Sequence, residues 1–380
     1  MTQRQILIDI TPLQSEHRVR GVGTYVLNLI RELALLYPDS LEFLASTVNG
    51  SGIGTELPHV YKGFRPHKPA QVYWLYNELF LRRSFARIRP ALFHATDFNG
   101  VLSSPDIPVV TTLYDLTPLE ESSQNIGGLS HHLSMWRWRT YFFRKLPRVS
   151  HIIAISGHAK SQACDNLGLD PDRITVIPLG VNHHLYTPKA QGQGVFAHHA
   201  PYFLYVGGAD RNKNLSRLIE AFSLMAHQWP DIELLLAGKW QTETANMIQR
   251  DIEDKQLGLR IHLLGFVPSD DLPSLYANAL AFVFPSLSEG FGLPIIEAMA
   301  SGIPVIASDI PVFREVAENA SLLVDPKDTE RWAQAMVGLL SSPERLKNLG
   351  EVGQKRSREF HWRKVAEDTW AVYQKVLQGL

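Results

Sequence analysis

Twelve short apolar runs, separated by stretches with helical periodicity, constrain this chain's fold more than any other feature. They fall at 6–10, 41–46, 91–95, 109–113, 152–155 and 174–178, and then at 202–206, 232–236, 261–264, 281–284, 304–307 and 321–324. Several, such as YFLYV at 202–206 and AFVF at 281–284, are apolar at every position rather than alternating. A strand of that kind must be covered on both faces, as in a parallel sheet flanked by helices. The alternation occurs in both halves, so the pattern predicts an α/β protein of two doubly wound, Rossmann-like domains. The length agrees: 380 residues suit two domains at about 150 residues each.

A Gln-, Gly-, His- and Pro-rich stretch at 187–200 has little to bury and reads as a linker. It divides a first domain at 1–186 from a second at 201–361. Beyond it Trp362, Val365, Ala366, Trp370, Tyr373, Val376 and Leu377 recur at helical intervals, one apolar face of an amphipathic helix that needs a surface to cover it.

Charge and composition exclude several classes of function. Lys plus Arg number 37 against 38 Asp plus Glu, a net charge of -1, which argues against a nucleic-acid-coating protein. The single cysteine, Cys164, allows no internal disulfide framework and no cysteine-rich zinc module, and fits a reducing, cytoplasmic compartment. The opening MTQRQILIDI carries no basic-then-apolar leader. No run approaches the ~18 apolar residues of a membrane span. The expectation is a soluble chain, at most peripheral to a membrane.

The strongest local signal for chemistry is SEGFGLPIIEAMA at 288–300, directly after the apolar run 281–284. Open α/β sheets bind ligands at the carboxyl ends of their strands, where this segment lies. Pro294 suits the first turn of a helix. Glu289 then falls in the loop and Glu297 about one turn into the helix. Gly290 and Gly292 let a ligand approach the backbone, and free amides at a helix start favour anions. Two carboxylates on either side of such a turn can grip two parts of a polyhydroxylated ligand.

Together with other segments, this one resembles the retaining glycosyltransferases of family 4, which have the GT-B fold. The matching segments run in the family's order: RGVGTYVLNLIREL at 20–33, VVTTLYDLTPL at 109–119, IIAISGHAKSQACDNLGLDPDRITVIPLGVN at 152–182, YVGGADRNKNLSRLIEAF at 205–222, LLGFVPSDDLPSLYANA at 263–279 and SGIPVIASDIPVFREVAENASLLVDP at 301–326. The resemblance implies two domains facing across a cleft, with the terminal helix 362–380 crossing back onto the first. It implies donor binding mainly by the second domain and acceptor binding by the first.

Carried over residue by residue, the resemblance sets Glu289 by the donor sugar and Glu297 by the nucleotide ribose. The amides of Gly290, Phe291, Gly292 and Leu293 would contact sugar hydroxyls and phosphate, and Val267 would bracket the base. Lys213 matches the lysine of the diphosphate-binding basic pair. The arginine of that pair has no clean match, and Arg211, one residue from its usual place, is assigned to it. A fixed cation there would stabilise the charge that gathers on a departing diphosphate.

Gly21 and Gly23 open the first helix. They fail as a dinucleotide fingerprint, since the third glycine and the acidic partner are missing. The resemblance makes them the loop facing the donor phosphates; taken alone, they read as a tight turn needing positive φ. Tyr114 stands where the family often has histidine, followed by Asp115. A tyrosine does not titrate usefully near neutral pH, so any polar role there is hydrogen bonding. His94 matches a recurrent strand-end position on the acceptor side, with a satisfied structural histidine as the other reading. Asp170 and Asp172 read as a turn around Pro171, and the adjacent histidine pairs lack chelating spacing, so no metal is expected.

No acidic residue occurs between Glu121 and Asp165, a stretch that includes Trp136, Arg139, Tyr141, Phe142, Phe143, Arg144, Lys145 and Arg148. A second basic-aromatic stretch includes Lys62, Arg65, Lys68, Tyr73, Trp74, Tyr76, Arg82, Arg83, Arg87 and Arg89. Both fit either a lipid-facing surface or core aromatics with a solvated basic rim. The functional expectation is a metal- and cofactor-independent hexosyltransferase of polysaccharide or glycoconjugate synthesis. Its substrates would be a nucleotide sugar, GDP-mannose first with UDP- and dTDP-sugars open, and a saccharide or lipid-linked saccharide acceptor. A GT-B epimerase, or a non-catalytic nucleotide-sugar- or membrane-binding protein, shares the ligand class.

Overall fold

The structure is a computed structural model that describes residues 5–14, 18, 21–46, 60–63, 70–97, 100–102, 106–116, 136, 138–190, 194 and 201–379. Two compact units divide the chain: Met1–Gly180 with Trp362–Leu380, and Val181–His361.

The first unit contains one parallel sheet of seven strands: β1 (Ile6–Asp9), β2 (Leu41–Ser46), β3 (Val60–Gly63), β4 (Leu92–Ala95), β5 (Val109–Leu113), β6 (His151–Ala154) and β7 (Ile174–Val176). Their order across the sheet is β3-β2-β1-β4-β5-β6-β7. Strands β1, β4, β5 and β6 are buried at every position, as continuous apolar runs require. Helices α1 (Gly21–Leu36), α2 (Ala70–Ile88) and α3 (Gly157–Leu167) connect them. Asp170 caps a short turn by accepting from the Asp172 amide at 2.9 Å, the turn expected there.

The second unit holds six parallel strands: β8 (Tyr202–Val206), β9 (Glu233–Ala237), β10 (Ile261–Gly265), β11 (Ala281–Phe284), β12 (Val305–Ser308) and β13 (Leu322–Val324). Their order is β10-β9-β8-β11-β12-β13. Its helices are α4 (Leu215–Ala226), α5 (Thr242–Asp254), α6 (Leu272–Ala277), α7 (Leu293–Ala300), α8 (Pro311–Ala317), α9 (Thr329–Leu340) and α10 (Pro343–Ser357). In each sheet the winding reverses beside its first strand, between β1 and β4 and between β8 and β11. Connections leave in opposite directions at such a point and open a crevice at the strands' carboxyl ends.

Helix α11 (Trp362–Gln378) belongs to the first unit. Its apolar face covers α1: the Trp362 ring lies 6.5 Å from Tyr25, and Trp370 stacks on Tyr37 at 4.0 Å.

Three expectations differ from the structure. The unit boundary lies at Gly180/Val181 rather than 186. Val181 forms a parallel bridge with His361, and the Tyr186 ring packs edge-on against Tyr276 at 5.7 Å, so both stand with the second unit. The expected linker at 187–200 begins with a helical turn, Pro188–Ala190, of that same unit, while 191–193 and 195–200 lie outside the described residues. Strand β3, VYKG, joins the sheet edge without any apolar run to announce it. The basic-aromatic stretch at 136–148 splits: Tyr141 and Phe142 are core, whereas Trp136 and Phe143 are 51% and 52% exposed. In the other stretch Arg65 and Lys68, and the side chains of Lys62, Tyr73, Trp74 and Tyr76, lie outside the description.

Candidate active site

The loops after β8 and β11, on either side of the reversal point in the second unit, are laced together. Leu287 N donates to Asn212 O at 2.7 Å, and Asn212 Nδ2 to Ser288 O at 3.3 Å. Asn214 adopts a left-handed conformation, φ 58°, with its side-chain amide on the carbonyls of Pro285 (3.1 Å) and Pro326 (2.8 Å). Asparagine tolerates that conformation because its short amide can bond locally. These ties fix the helical turn Arg211–Lys213 against the loop that carries Glu289.

Lys213 Nζ donates to Glu289 Oε1 at 2.5 Å, and the Ser286 hydroxyl donates to the same oxygen at 2.8 Å. The two charged side chains are 17% and 13% exposed, and the ammonium also lies 5.8 Å from the Phe284 ring centroid. Arg211, at the first position of the turn, is exposed. The turn thus carries two cations, of which Lys213 meets the carboxylate.

Gly290, Phe291, Gly292 and Leu293 are all buried, and among the described residues none of their amides has a protein acceptor. Gly292 caps α7 at φ 98°, ψ 52°, with proline in the first turn. A Cβ there would stand 2.8 Å from Phe313 Cε1, so only glycine lets the chain enter the helix on this path. Phe291 turns its ring into the core against Phe360, at 5.8 Å, which leaves its backbone as the part available to a ligand. Four open amides at the start of a helix make an anion-binding row.

Glu297 lies on α7, partly buried. The Tyr276 hydroxyl donates to its Oε2 at 3.0 Å, and the Tyr186 ring stands edge-on to Tyr276 at 5.7 Å. Burial pushes the Glu297 carboxyl up to about 7, against the opposing pull of these two tyrosines. Tyr205 connects the two acids: its hydroxyl feels the Glu289 charge, and it in turn acts on Tyr276.

Strand ends β8, β9 and β10 continue the same rim, with Gly238 N on Gly265 O at 2.8 Å and Trp240 Nε1 on Gly207 O at 2.9 Å. Val267, just beyond β10, is buried; the structure brings it to the rim but against none of the acidic pair.

In the first unit, Gly21 and Gly23 lie within the first turn of α1 rather than in a preceding loop. Tyr25, on the same helix, meets Tyr114 edge-to-face at 5.8 Å. Tyr114 donates to Thr96 O at 2.7 Å, and Asp115 beside it is partly buried. His94 departs from the acceptor-side expectation. It is 0% exposed, with Nδ1 2.6 Å from the Tyr373 hydroxyl and Nε2 2.9 Å from Thr112 Oγ1. Burial lowers its pKa to about 3, so the ring is neutral and structural. Thr112 Oγ1 also lies 3.0 Å from the Tyr25 hydroxyl. A buried polar chain therefore joins α11, β4, β5 and α1.

Residues 19–185 match the family described as Glycosyltransferase Family 4, and residues 187–356 that described as Glycosyl transferases group 1. The chain belongs to the family 4 glycosyltransferases. This family 4 chain is 34% identical over 199 residues to the O-antigen chain mannosyltransferase RfbU of Salmonella typhimurium, covering 52% of the chain and 53% of that relative. It is 30% identical over 295 residues to an alpha-maltose-1-phosphate synthase of Mycolicibacterium smegmatis, covering 71% and 73%. The chain spans only about half the length of relatives such as RfbU. A sucrose-phosphate synthase from Thermosynechococcus elongatus superposes over 100% of both chains at TM-score 0.80 and 21% identity, which establishes GT-B as the fold.

Sequence reasoning about this family 4 chain missed Ser286, Tyr276 and Tyr186. Ser286, three residues before Glu289 in a strand-exit loop, was open to a local reading as its partner. A buried tyrosine hydroxyl needs a partner, which flags Tyr276 in an apolar helix but does not name Glu297.

Proposed function

We propose that this chain transfers a hexose, mannose first, from a nucleoside-diphosphate sugar to a saccharide or lipid-linked saccharide acceptor, with retention at the anomeric carbon. The observation that carries the reading is the row of four open amides at 290–293 beside the Lys213–Glu289 pair. That arrangement suits a ligand with an anionic diphosphate and a hydroxyl-rich sugar. Lys213 and the amide row take the diphosphate, Arg211 adds a second cation from the turn, and Glu289 accepts from donor sugar hydroxyls. Glu297 accepts from the ribose, with Val267 beside the base. As the glycosidic bond lengthens, charge grows on the leaving diphosphate. Fixed donors aimed at that position stabilise the transition state more than the ground state.

The mannose assignment draws on the printed function of the Salmonella relative and on nothing in the geometry. For a lipid-linked acceptor we propose a peripheral membrane contact through exposed Trp136 and Phe143 with Arg144 and Arg148 beside them. Among the described residues no helix is long and apolar enough to cross a membrane.

The test incubates the full chain with GDP-mannose and a panel of UDP- and dTDP-sugars, with and without saccharide acceptors, and reads the new linkage by NMR. A transferase forms product only when acceptor is present, and Glu289→Ala lowers turnover ~100-fold or more. Near-wild-type turnover in that variant, or an epimerised sugar nucleotide formed without acceptor, refutes the assignment.

A further inference from the structure

The Glu297 carboxylate accepts from a buried tyrosine of the neighbouring helix. Tyr276, on α6, is fully buried, and its hydroxyl lies 3.0 Å from Oε2. Tyr186, in the segment by which the chain enters the second unit, packs its ring edge-on against Tyr276 at 5.7 Å. An ionised carboxylate has about four lone-pair sites. The Tyr276 hydroxyl occupies one of them and leaves enough for a pair of ligand hydroxyls.

Burial alone would favour the protonated acid, whose O–H competes with an incoming donor hydroxyl. The Tyr276 hydroxyl opposes this by donating to the ionised form, and Tyr186 acts in the same direction. Among the described residues no charged side chain does so. Helices α6, α8 and α10 and strands β11 and β12 pack on α7, and of their ionisable side chains only Tyr276 shifts Glu297; Tyr186 is the other group that does. Tyr205 of β8 acts one step removed, on Tyr276.

We propose that Tyr276, with Tyr186 packed edge-on against it, is a positioning residue that holds the Glu297 carboxylate in one orientation, so that affinity for the vicinal diol of a ribonucleotide depends on the Tyr276 hydroxyl. The proposal rests on the nucleotide-sugar reading of the site. Neither tyrosine need touch the ligand. A 2′-deoxy nucleotide leaves one prepared acceptor unmet and binds more weakly, the penalty a site built for a hydroxyl imposes on its absence.

The decisive experiment compares the full-length wild type with Tyr276→Phe, Tyr186→Phe and Glu297→Gln. Binding of GDP and UDP is measured by calorimetry from pH 6 to 9. Wild-type affinity falls about tenfold per pH unit below the Glu297 inflection. Tyr276→Phe moves that inflection upward by about one unit, as expected for a lost hydrogen bond to a charged group, Tyr186→Phe moves it in the same direction, and both converge on wild type near pH 9. Glu297→Gln abolishes the inflection and makes Tyr276→Phe silent in its background. A packing role alone weakens binding equally at every pH, and that result overturns the proposal. In parallel, the Glu297 carboxyl is titrated by 13C NMR without ligand, with Glu297→Gln as the assignment control. An unmoved titration in Tyr276→Phe also overturns the proposal. If neither nucleotide binds wild type, the reading of the site fails, while the carboxyl titration still decides whether Tyr276 holds Glu297.

Discussion

Gly292→Ala separates two costs that the entrance to α7 combines. At φ 98° an alanine meets the left-handed backbone penalty, ~1–2 kcal/mol. Its Cβ would also stand 2.8 Å from Phe313 Cε1 and 3.4 Å from Ile295 Cδ1, overpacking that typically costs about 1–3 kcal/mol. Reduced freedom of the unfolded chain returns about 0.4–1 kcal/mol, leaving a net loss of ~1–4.5 kcal/mol. Gly265 supplies the control within the same unit: its φ is 66°, and a Cβ there meets nothing within 4 Å. Gly265→Ala should therefore cost only ~1 kcal/mol, the backbone part alone. Scanning calorimetry reads both, at about 2–4 °C per kcal/mol for a unit of this size. Repeating Gly292→Ala in a Phe313→Leu background makes room for the methyl and should bring its cost down to about that of the control, a coupling a double-mutant cycle isolates. Equal losses at the two glycines, or an unchanged cost beside Leu at 313, would show that the phenyl contact is not what excludes a side chain.

Ser286→Ala removes one of two donors from Glu289 Oε1 and should lower turnover about tenfold, the equivalent of one hydrogen bond; steady-state kinetics showing a loss as large as that of Glu289→Ala would contradict the ranking. His94→Ala strands the Tyr373 and Thr112 hydroxyls and should cost the first unit ~2–4 kcal/mol, read as a lower calorimetric midpoint with the second unit's transition unmoved. The two perturbed groups also predict opposite pH responses. His94 has a folded pKa depressed from 6.5 to about 3, so its contribution is complete above pH 6.5 and declines on acidification, by ~2 kcal/mol at pH 5. Glu297 is raised from 4.5 to about 7, so its contribution is complete below pH 4.5 and is lost as pH rises to 7, ~3 kcal/mol in all. Between pH 7.5 and 5 these groups drive the two units' transitions apart, and His94→Gln or Glu297→Gln should flatten its own unit's share; parallel pH profiles in wild type and both variants would refute the assignment.

The strands were legible where apolar burial runs along both faces. YFLYV and AFVF are apolar throughout because helices cover both faces of β8 and β11. VYKG was not, because an edge strand needs no such run. The composition of 187–200 cannot show that Tyr186 and Pro188 already stand with the second unit; the edge-on contact of Tyr186 with the Tyr276 ring does. Glu289 and Glu297 were readable because their spacing is local, one before and one after a helix start. Their supports were not, since Lys213 meets Glu289 across 76 residues and Tyr276 meets Glu297 across 21. His94 shows the reverse failure. Its place at a strand end invites a ligand role, yet the Tyr373 hydroxyl that satisfies it comes from 279 residues away.

The Lys213–Glu289 pair links the resting site to the proposed reaction. Breaking a shielded ion pair by removing one partner is costly, because the remaining charge stays buried and unpaired. Here the diphosphate can take the place of Glu289 as the ammonium's partner, so Lys213 need not be left uncompensated. Glu289 then keeps the Ser286 hydroxyl on Oε1 and turns its remaining lone pairs to sugar hydroxyls. The exchange works only if both events occur together: a free phosphate would capture Lys213 but leave Glu289 with one donor, and a free sugar would meet a carboxylate still engaged by the lysine. On the proposed reading, a site with this Lys213–Glu289 pair at 2.5 Å favours the intact sugar nucleotide over either half.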